Sequence, residues 1–497
     1  MTTHTQGGVR FTVTAVLWPL LFVGNLSAQS PPAQTLANPR TVRSPLTLSA
    51  VNDARNGLGS FRYEGEEDPP VIYTAPGDSI TITYRNAMST HSGEICVDGP
   101  CSNMSNLHFH GLHVSPNSPQ DDVITMMTMP GESLNYVVDV PLDQAPGLYW
   151  YHTHPHGESY QQSLDGMSGA IVIEGISRYY PSVAQLPERI LVLRDKVLDA
   201  TPQAAVLRNQ VEVPKERCGR ASGDPARLFT VNGLLRPEIP IAPGERQLWR
   251  IVNASPDLYA DLQVDRTRME VVALDGMPLN FHSPDRKPEL LDHILVSPAG
   301  RVEAIVTGPG VGAHVSLRSL CFDTGIDGDP NPAMVLADLV ANPRPVPPLP
   351  RIPLDTKPAV HKELSKAQLS RLERGPAQFV AVFTEDDHGF YINGKKYSPK
   401  SDPMVTVDIG HYRRWRVENK TREVHPFHIH QVHFLLYQQN GQKLGPAEWL
   451  DTANVPANGS IETIMDFTDP VIRGVSVFHC HLLKHEDKGM MAKVLFR

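Results

Sequence analysis

The sequence is short of several things, and each shortage narrows the choice. Five cysteines in 497 residues are too few for a fold stapled mainly by disulfides. Basic residues are outnumbered, with 45 lysines and arginines against 54 acidic residues and a net charge of -9, which argues against a nucleic-acid partner. Apolar runs are brief. Even the N-terminal "FTVTAVLWPLLFVG" is too short to span a bilayer comfortably, and no later segment approaches the ~20 residues a membrane helix needs. Helical periodicity is scarce as well, with one convincing case in "KELSKAQLSRLER". Alternation such as "SITITYRN" and "GAIVIEG" dominates, punctuated by 45 prolines and 36 glycines, so the expected class is all-β.

The length exceeds one ordinary core and predicts two or three domains. A weak internal repeat favours three: "PGDSITITYRN", "PGERQLWRIVN" and "IGHYRRWRVEN" end at Asn86, Asn253 and Asn419, each with a glycine nine residues earlier. Asn-Gly turns precede the second and third copies at Asn232-Gly233 and Asn393-Gly394, as expected of duplicated β units. The proline-rich "NPRPVPPLPRIP" reads as a connector. The expected organisation is an export signal over residues 1–28, β domains over 45–177 and 186–342, a linker with a short helix over 343–376, and a last domain over 377–497.

Arg10, the apolar run after it and the small residues Ser27 and Ala28 have the order of a secretory signal, which predicts a periplasmic or secreted protein. Cysteine usage agrees. Cys96 with Cys101 and Cys218 with Cys321 is the tidiest of three possible connectivities, and Cys480 is left over as the informative thiol.

What distinguishes the repeat copies is histidine. "LHFHGLH" and "YWYHTHPHG" follow the first copy, "HPFHIHQVH" and "VFHCHLLKHEDKGMM" follow the third, and no such motif follows the second. They contain four His-x-His pairs: His108/His110, His152/His154, His428/His430 and His479/His481. In a strand, residues i and i+2 share a face, so each pair presents two imidazoles in one direction. A lone pair is ordinarily a surface strand. Eight rings converging from two domains are costly to bury unless something binds their nitrogens, and a metal cluster does so. Cys480, between His479 and His481, then points the other way. With His425, His485 and Met490 nearby it makes the two-histidine, thiolate and thioether set of a blue-copper electron-transfer site. One strand thus touches two metal sites.

The four motifs resemble the copper-binding motifs of the multicopper oxidases, laccase-like proteins of three cupredoxin domains, and the resemblance runs from about Leu46 to the end of the chain. It implies three cupredoxin-like Greek-key β-sandwich or barrel domains and four copper ions. Cys480, His425, His485 and Met490 would hold type 1 copper. His108 and His428 would hold type 2, and His110, His152, His154, His430, His479 and His481 the type 3 pair. The implied reaction couples one-electron oxidation of a phenol, aromatic amine or metal ion to reduction of dioxygen to water. Carboxylates are expected on the proton path. Glu486 matches an acidic position of the family, and a second acid is expected at Asp121 or Asp122; Asp122 is paired with Glu486 as the expected catalytic set.

His113, His156 and His433 are expected to support the motifs, Met126 to Met129 to fill core, and Glu423 to face a donor at the type 1 edge. Two rival readings are a copper nitrite reductase, which does not require four His-x-His pairs, and a non-catalytic copper-sequestering or scaffold protein of the same fold.

Overall fold

The structure is a computed structural model that describes residues 1–2, 34–52, 59–66, 69–90, 95–97, 99–197, 227–341 and 364–497. The export-signal segment, Cys218 and the proline-rich connector lie outside the described residues. Strands dominate, and apart from a two-stranded ribbon at Ile95–Cys96 and Gly99–Pro100 the described sheets come in three successive pairs along the chain: five- and four-stranded, then seven- and five-stranded, then six- and five-stranded.

The repeat is visible in the pairing. In each pair of sheets the strand carrying the repeat lies parallel to an earlier strand: Ser79–Asn86 beside Leu46–Asn52, Arg246–Asn253 beside Glu188–Val197, and His411–Asn419 beside Phe379–Asp386. The recurring glycines Gly77, Gly244 and Gly410 have positive φ of 92°, 74° and 92°, a conformation glycine adopts without steric cost and which starts each strand after a tight turn. The recurring asparagines close the motif. Asn86, Asn253 and Asn419 are buried, and each amide donates to two backbone carbonyls while its oxygen takes the N–H two residues on. A buried polar side chain so satisfied fixes where the next loop leaves the sheet. In the first and third pairs that loop leads to the histidine motifs.

Each pair of sheets encloses its own apolar core. A further cluster joins Tyr73, Leu148 and Trp150 of the first pair to Ile190, Val192 and Val252 of the second. The strand Leu148–His152 is therefore covered on both faces and buried at every position, as is His425–Ile429 in the third pair. Such strands read as continuous apolar runs, and these two carry histidines into the interior.

Helix Lys366–Arg374 forms where the sequence predicts one, started by a capping box in which Ser365 and Gln368 satisfy each other's backbone N–H groups. Cys96 and Cys101 form a disulfide. Cys321 is disulfide-bonded, and Cys480 is free and buried. Among the described residues no helix is long and apolar enough to cross a membrane.

Candidate metal centre

Strand register brings the motifs together. His108 lies opposite His152, and His110 opposite Trp150; His428 lies opposite His479, and Phe427 opposite Cys480. Directly opposed residues share a face, so His428 and His479 look one way while Cys480 and Phe427 look into the core of the third pair. The alternation expected around Cys480 is present. His154, His430 and His481 lie just beyond the ends of their strands and still turn inward with the others.

Imidazoles of the first and third sheet pairs meet face to face. His108 stacks on His430 at 3.7 Å and His110 on His428 at 3.9 Å between ring centroids. Nitrogens converge in three groups, with donor atoms in each within 4.8 Å of one another: His110, His152 and His481; His154, His430 and His479; and His108, His110 and His428. Burial lowers the pKa of all eight rings, to about 3 for His152 and about 4 for His428. The rings are neutral at pH 7, the form that offers a lone pair to a metal.

The outward nitrogens are tethered. His108 Nδ1 is 3.0 Å from both carboxylate oxygens of Asp121, and His110 Nε2 is 3.2 Å from Asp451 Oδ1. The Nδ1 atoms of His152, His428 and His479 lie 2.8–2.9 Å from the carbonyls of Thr153, Asp451 and Cys480. The inward ones are not satisfied. Among the described residues, His108 Nε2, His110 Nδ1, His152 Nε2, His428 Nε2, His430 Nδ1 and both nitrogens of His481 have no hydrogen-bond partner. The Nε2 atoms of His154 and His430 instead lie 3.3 and 3.2 Å from His479 Nε2. Buried polar atoms left so are rare in a folded protein, and lone pairs aimed at one another are what a cation relieves. The residues fit a cluster of copper ions.

On the other face of the strand, Cys480 Sγ is 3.4 Å from His425 Nδ1 and 4.0 Å from His485 Nδ1. Met490 is buried in the same core, and its carbonyl takes the Cys480 N–H at 3.1 Å. Burial pushes the Cys480 thiol well above its ordinary range, so a thiolate here needs a bound cation to stabilise it. Thr421 Oγ1 lies 2.7 Å from His425 Nε2, and Glu423 Oε1 lies 3.2 Å from His485 Nε2. Both rings are thus held from behind, and Phe390 covers the face of His485 at 3.9 Å and 14°.

Besides Asp451, two acids reach the cluster. Glu486 is fully buried, its oxygens 3.6 Å from His154 Nδ1 and 3.3 Å from His479 Nδ1, and Ser159 Oγ donates to it at 3.2 Å. Burial raises its pKa well above the ordinary value, with Asp487 adding to the effect. The other acid is Asp121, and the expectation for Asp122 is corrected here. Asp121 turns inward to His108, accepts the Phe109 N–H at 2.9 Å and takes Gln431 Nε2 at 2.6 Å. Asp122 turns away and caps its own turn through the N–H groups of Ile124 and Thr125. Asp121 sits at a bend and Asp122 opens the turn over residues 123–125, so the two carboxylates leave the chain in different directions.

His433 Nε2 lies 2.9 Å from the Asp275 carbonyl, His113 pairs with Asp469 at 3.6 Å, and His156 packs on Tyr397. Met126 is core and Met129 is exposed. No motif marks Asp451, Asp275 and Arg301, which form a buried network behind His110 and His428.

Beside His485 opens a cavity of about 290 Å³ whose lining includes Asp257, Asp327, Asp329, Glu385 and Glu423, with Lys484 and Lys488 also on its wall. Asp257 is paired with Arg227 and Asp327 with Arg422, and Glu385 and Glu423 add carboxyl groups to the lining they share with His485.

Comparison with known proteins agrees with this arrangement. The multicopper oxidase family matches in three segments, residues 60–177, 150–315 and 370–497. A multicopper oxidase of Staphylococcus haemolyticus is 24% identical over 455 residues, covering 89% of this chain and 84% of that protein. The cell division protein FtsP of Escherichia coli is 26% identical, covering 87% and 84%. Among solved structures, a multicopper oxidase from Campylobacter jejuni described as a metallo-oxidase superposes with a TM-score of 0.68 at 23% identity, covering 94% of this chain and 96% of that one. A variant of the Aquifex aeolicus multicopper oxidase McoA gives 0.71 at 20%, covering 94% and 100%. Family matches in all three pairs of sheets, joined to a shared cupredoxin fold, mean that the chain belongs to the multicopper oxidases and is an oxidoreductase.

Proposed function

We propose that the chain oxidises a small reducing donor one electron at a time beside His485 and passes the electrons through Cys480 to the histidine cluster, where dioxygen is reduced to water. His425, Cys480, His485 and Met490 would hold one copper, His108 and His428 a second, and the groups His110/His152/His481 and His154/His430/His479 a coupled pair. Bound there, copper supplies the one-electron carrier and the site of dioxygen reduction. The observation that carries the reading is the set of partnerless inward ring nitrogens set back to back with a buried thiol on the same strand.

The protein's own residues do the rest. Cys480 is bonded through the backbone to His479 and His481, which gives the shortest covalent route between the two faces. Glu486 holds a proton between His154 and His479, and Asp121 fixes the tautomer of His108 from the other side; both are placed to deliver protons to reduced oxygen. Phe390 occupies the ring face on which an aromatic donor would stack, leaving access through the acidic cavity at Glu423. That favours a cationic donor, with carboxylate oxygens suiting a hard divalent ion.

The three sheet pairs are taken as domains over residues 45–177, 186–342 and 377–497. The Cys96–Cys101 disulfide supports an exported, periplasmic or secreted location. A sequestering or scaffold role is the second reading, since one relative is a cell division protein, but converging and complete donor sets favour catalysis. Oxygen-electrode assays across ferrous, manganous and phenolic donors, with copper quantified alongside, test the proposal. Donor-dependent oxygen uptake by copper-loaded protein is expected. A blue band with donor oxidation but no oxygen consumption overturns the oxidase reading.

A further inference from the structure

The middle sheet pair carries no His-x-His motif, yet its Arg301 and Asp275 hold the segment that backs the cluster. Arg301, at the start of the strand Arg301–Thr307, is 1% exposed and uses all five of its N–H donors. Nε donates to the Leu148 carbonyl of the first sheet pair at 3.2 Å. Nη1 donates to the Ala299 carbonyl at 3.1 Å and Asp451 Oδ1 at 2.8 Å, and Nη2 to the Asp275 carbonyl at 2.8 Å and Asp451 Oδ2 at 2.5 Å. The guanidinium grips Asp451 as a two-pronged fork while three carbonyls fix its plane.

Asp451 passes that constraint on. Its Oδ1 is 3.2 Å from His110 Nε2, and its backbone carbonyl is 2.8 Å from His428 Nδ1. Asp275 holds the same segment from behind, its Oδ2 taking the N–H groups of Asp451 and Thr452 at 3.3 Å. His110 and His428 are the rings stacked at 3.9 Å, and with His108 they form one corner of the cluster.

We propose that Arg301 is a positioning residue for this corner: by clamping Asp451 it fixes the ring orientation of His110 and His428, so the part of the chain without ligands sets the geometry of the metal cluster. The inference rests on the copper assignment above. The corner held by His108 and His428 is the sensitive one, because two rings hold its ion where three hold each of the others.

The test compares R301K and D451N with a control, R250K. Lysine keeps the charge of Arg301 but loses the fork, and asparagine keeps the shape of Asp451 but presents an amide N–H₂ toward His110. Arg250 is buried in the same sheet, and its guanidinium bonds the carboxylates of Glu188 and Glu303 on either side. Each protein is loaded with copper, then followed by chelator titration, visible absorption, electron paramagnetic resonance and melting of the copper-free form. R301K and D451N are expected to keep the blue band, change or lose the type 2 resonance, and release that copper with roughly 10- to 100-fold weaker affinity. R250K is expected to melt at lower temperature with the resonance unchanged. An unaltered type 2 signal and normal copper retention in D451N and R301K overturn the proposal, as does equal loss of every copper class. If R301K fails to fold, D451N decides; unfolding of D451N also counts against the clamp. Parent protein that binds no cluster copper instead sinks the underlying assignment.

Discussion

Glu423 lines the cavity beside His485 and lies 3.2 Å from that ring, and its proton gives a quantitative handle on the proposed donor site. Burial pushes its carboxyl up to about 9, with Glu385, Asp329, Asp257 and Asp327 acting in the same direction. The acid is therefore protonated throughout the neutral range, and an entering cation must expel that proton. Below the raised pKa, each unit of falling pH costs about tenfold in apparent cation affinity. Calorimetric titration of copper-loaded protein with zinc, which cannot be oxidised, should show affinity rising roughly 100-fold from pH 6 to pH 8. About one proton should leave per ion, read from the dependence of the heat on the buffer. Glu423→Gln should flatten the slope and weaken binding at pH 8. A full charge about 4 Å away at an effective dielectric of 20 is worth up to ~4 kcal/mol. Water in the open cavity and the charges of Lys484 and Lys488 reduce this to ~1–2 kcal/mol, or roughly 5- to 30-fold. Zinc affinity that ignores pH in the parent, or a slope that survives in the glutamine variant, would refute the contact between donor cation and Glu423.

Cys480→Ser should abolish the blue absorption while the histidine cluster still binds copper, checked by metal analysis beside visible spectra. Glu486→Gln and Asp121→Asn should each slow oxygen uptake by about 10²- to 10⁴-fold, the usual weight of a positioned proton donor; Asp122→Asn should stay within about twofold of the parent, since it only caps a turn. In the copper-free protein, His152, His428 and His485 are depressed by burial to about 3, 4 and 3. The stability they contribute is complete above the free value of ~6.5 and is lost as pH falls from there toward those lowered values, at up to ~1.4 kcal/mol per unit each. The buried acids Asp275 and Asp487, near 7, act in the opposite sense but are outnumbered by the buried imidazoles. The melting temperature should therefore drop between pH 6.5 and 4 without copper and resist the same acidification with it, which scanning calorimetry would follow.

Much of the site was legible because its chemistry is local. A His-x-His pair declares its two-fold periodicity in three residues, and Cys480 between two such rings announces opposite faces before any fold is known. The repeat was equally readable, because a left-handed glycine and a loop-closing asparagine are requirements of single positions. What stayed hidden was long-range. Arg301 meets Asp451 across 150 positions, and no spacing within either segment marks the encounter. Asp121 and Asp122 differ only in which way one peptide turns after the first motif, and the deciding partner, Gln431, is 310 residues away. Gln431 itself holds a positive φ of 65°, a conformation a bulky residue adopts only when its surroundings impose it.

The stacked rings of His108 with His430 and of His110 with His428 have a consequence for biosynthesis. Four of the rings are translated by His154 and the other four only from His428 onward, so a ribosome that stalls between them releases a polypeptide that cannot bring the eight imidazoles together. A nest of rings shared between the first and third sheet pairs is complete only when the later pair has been translated and packed against the earlier one.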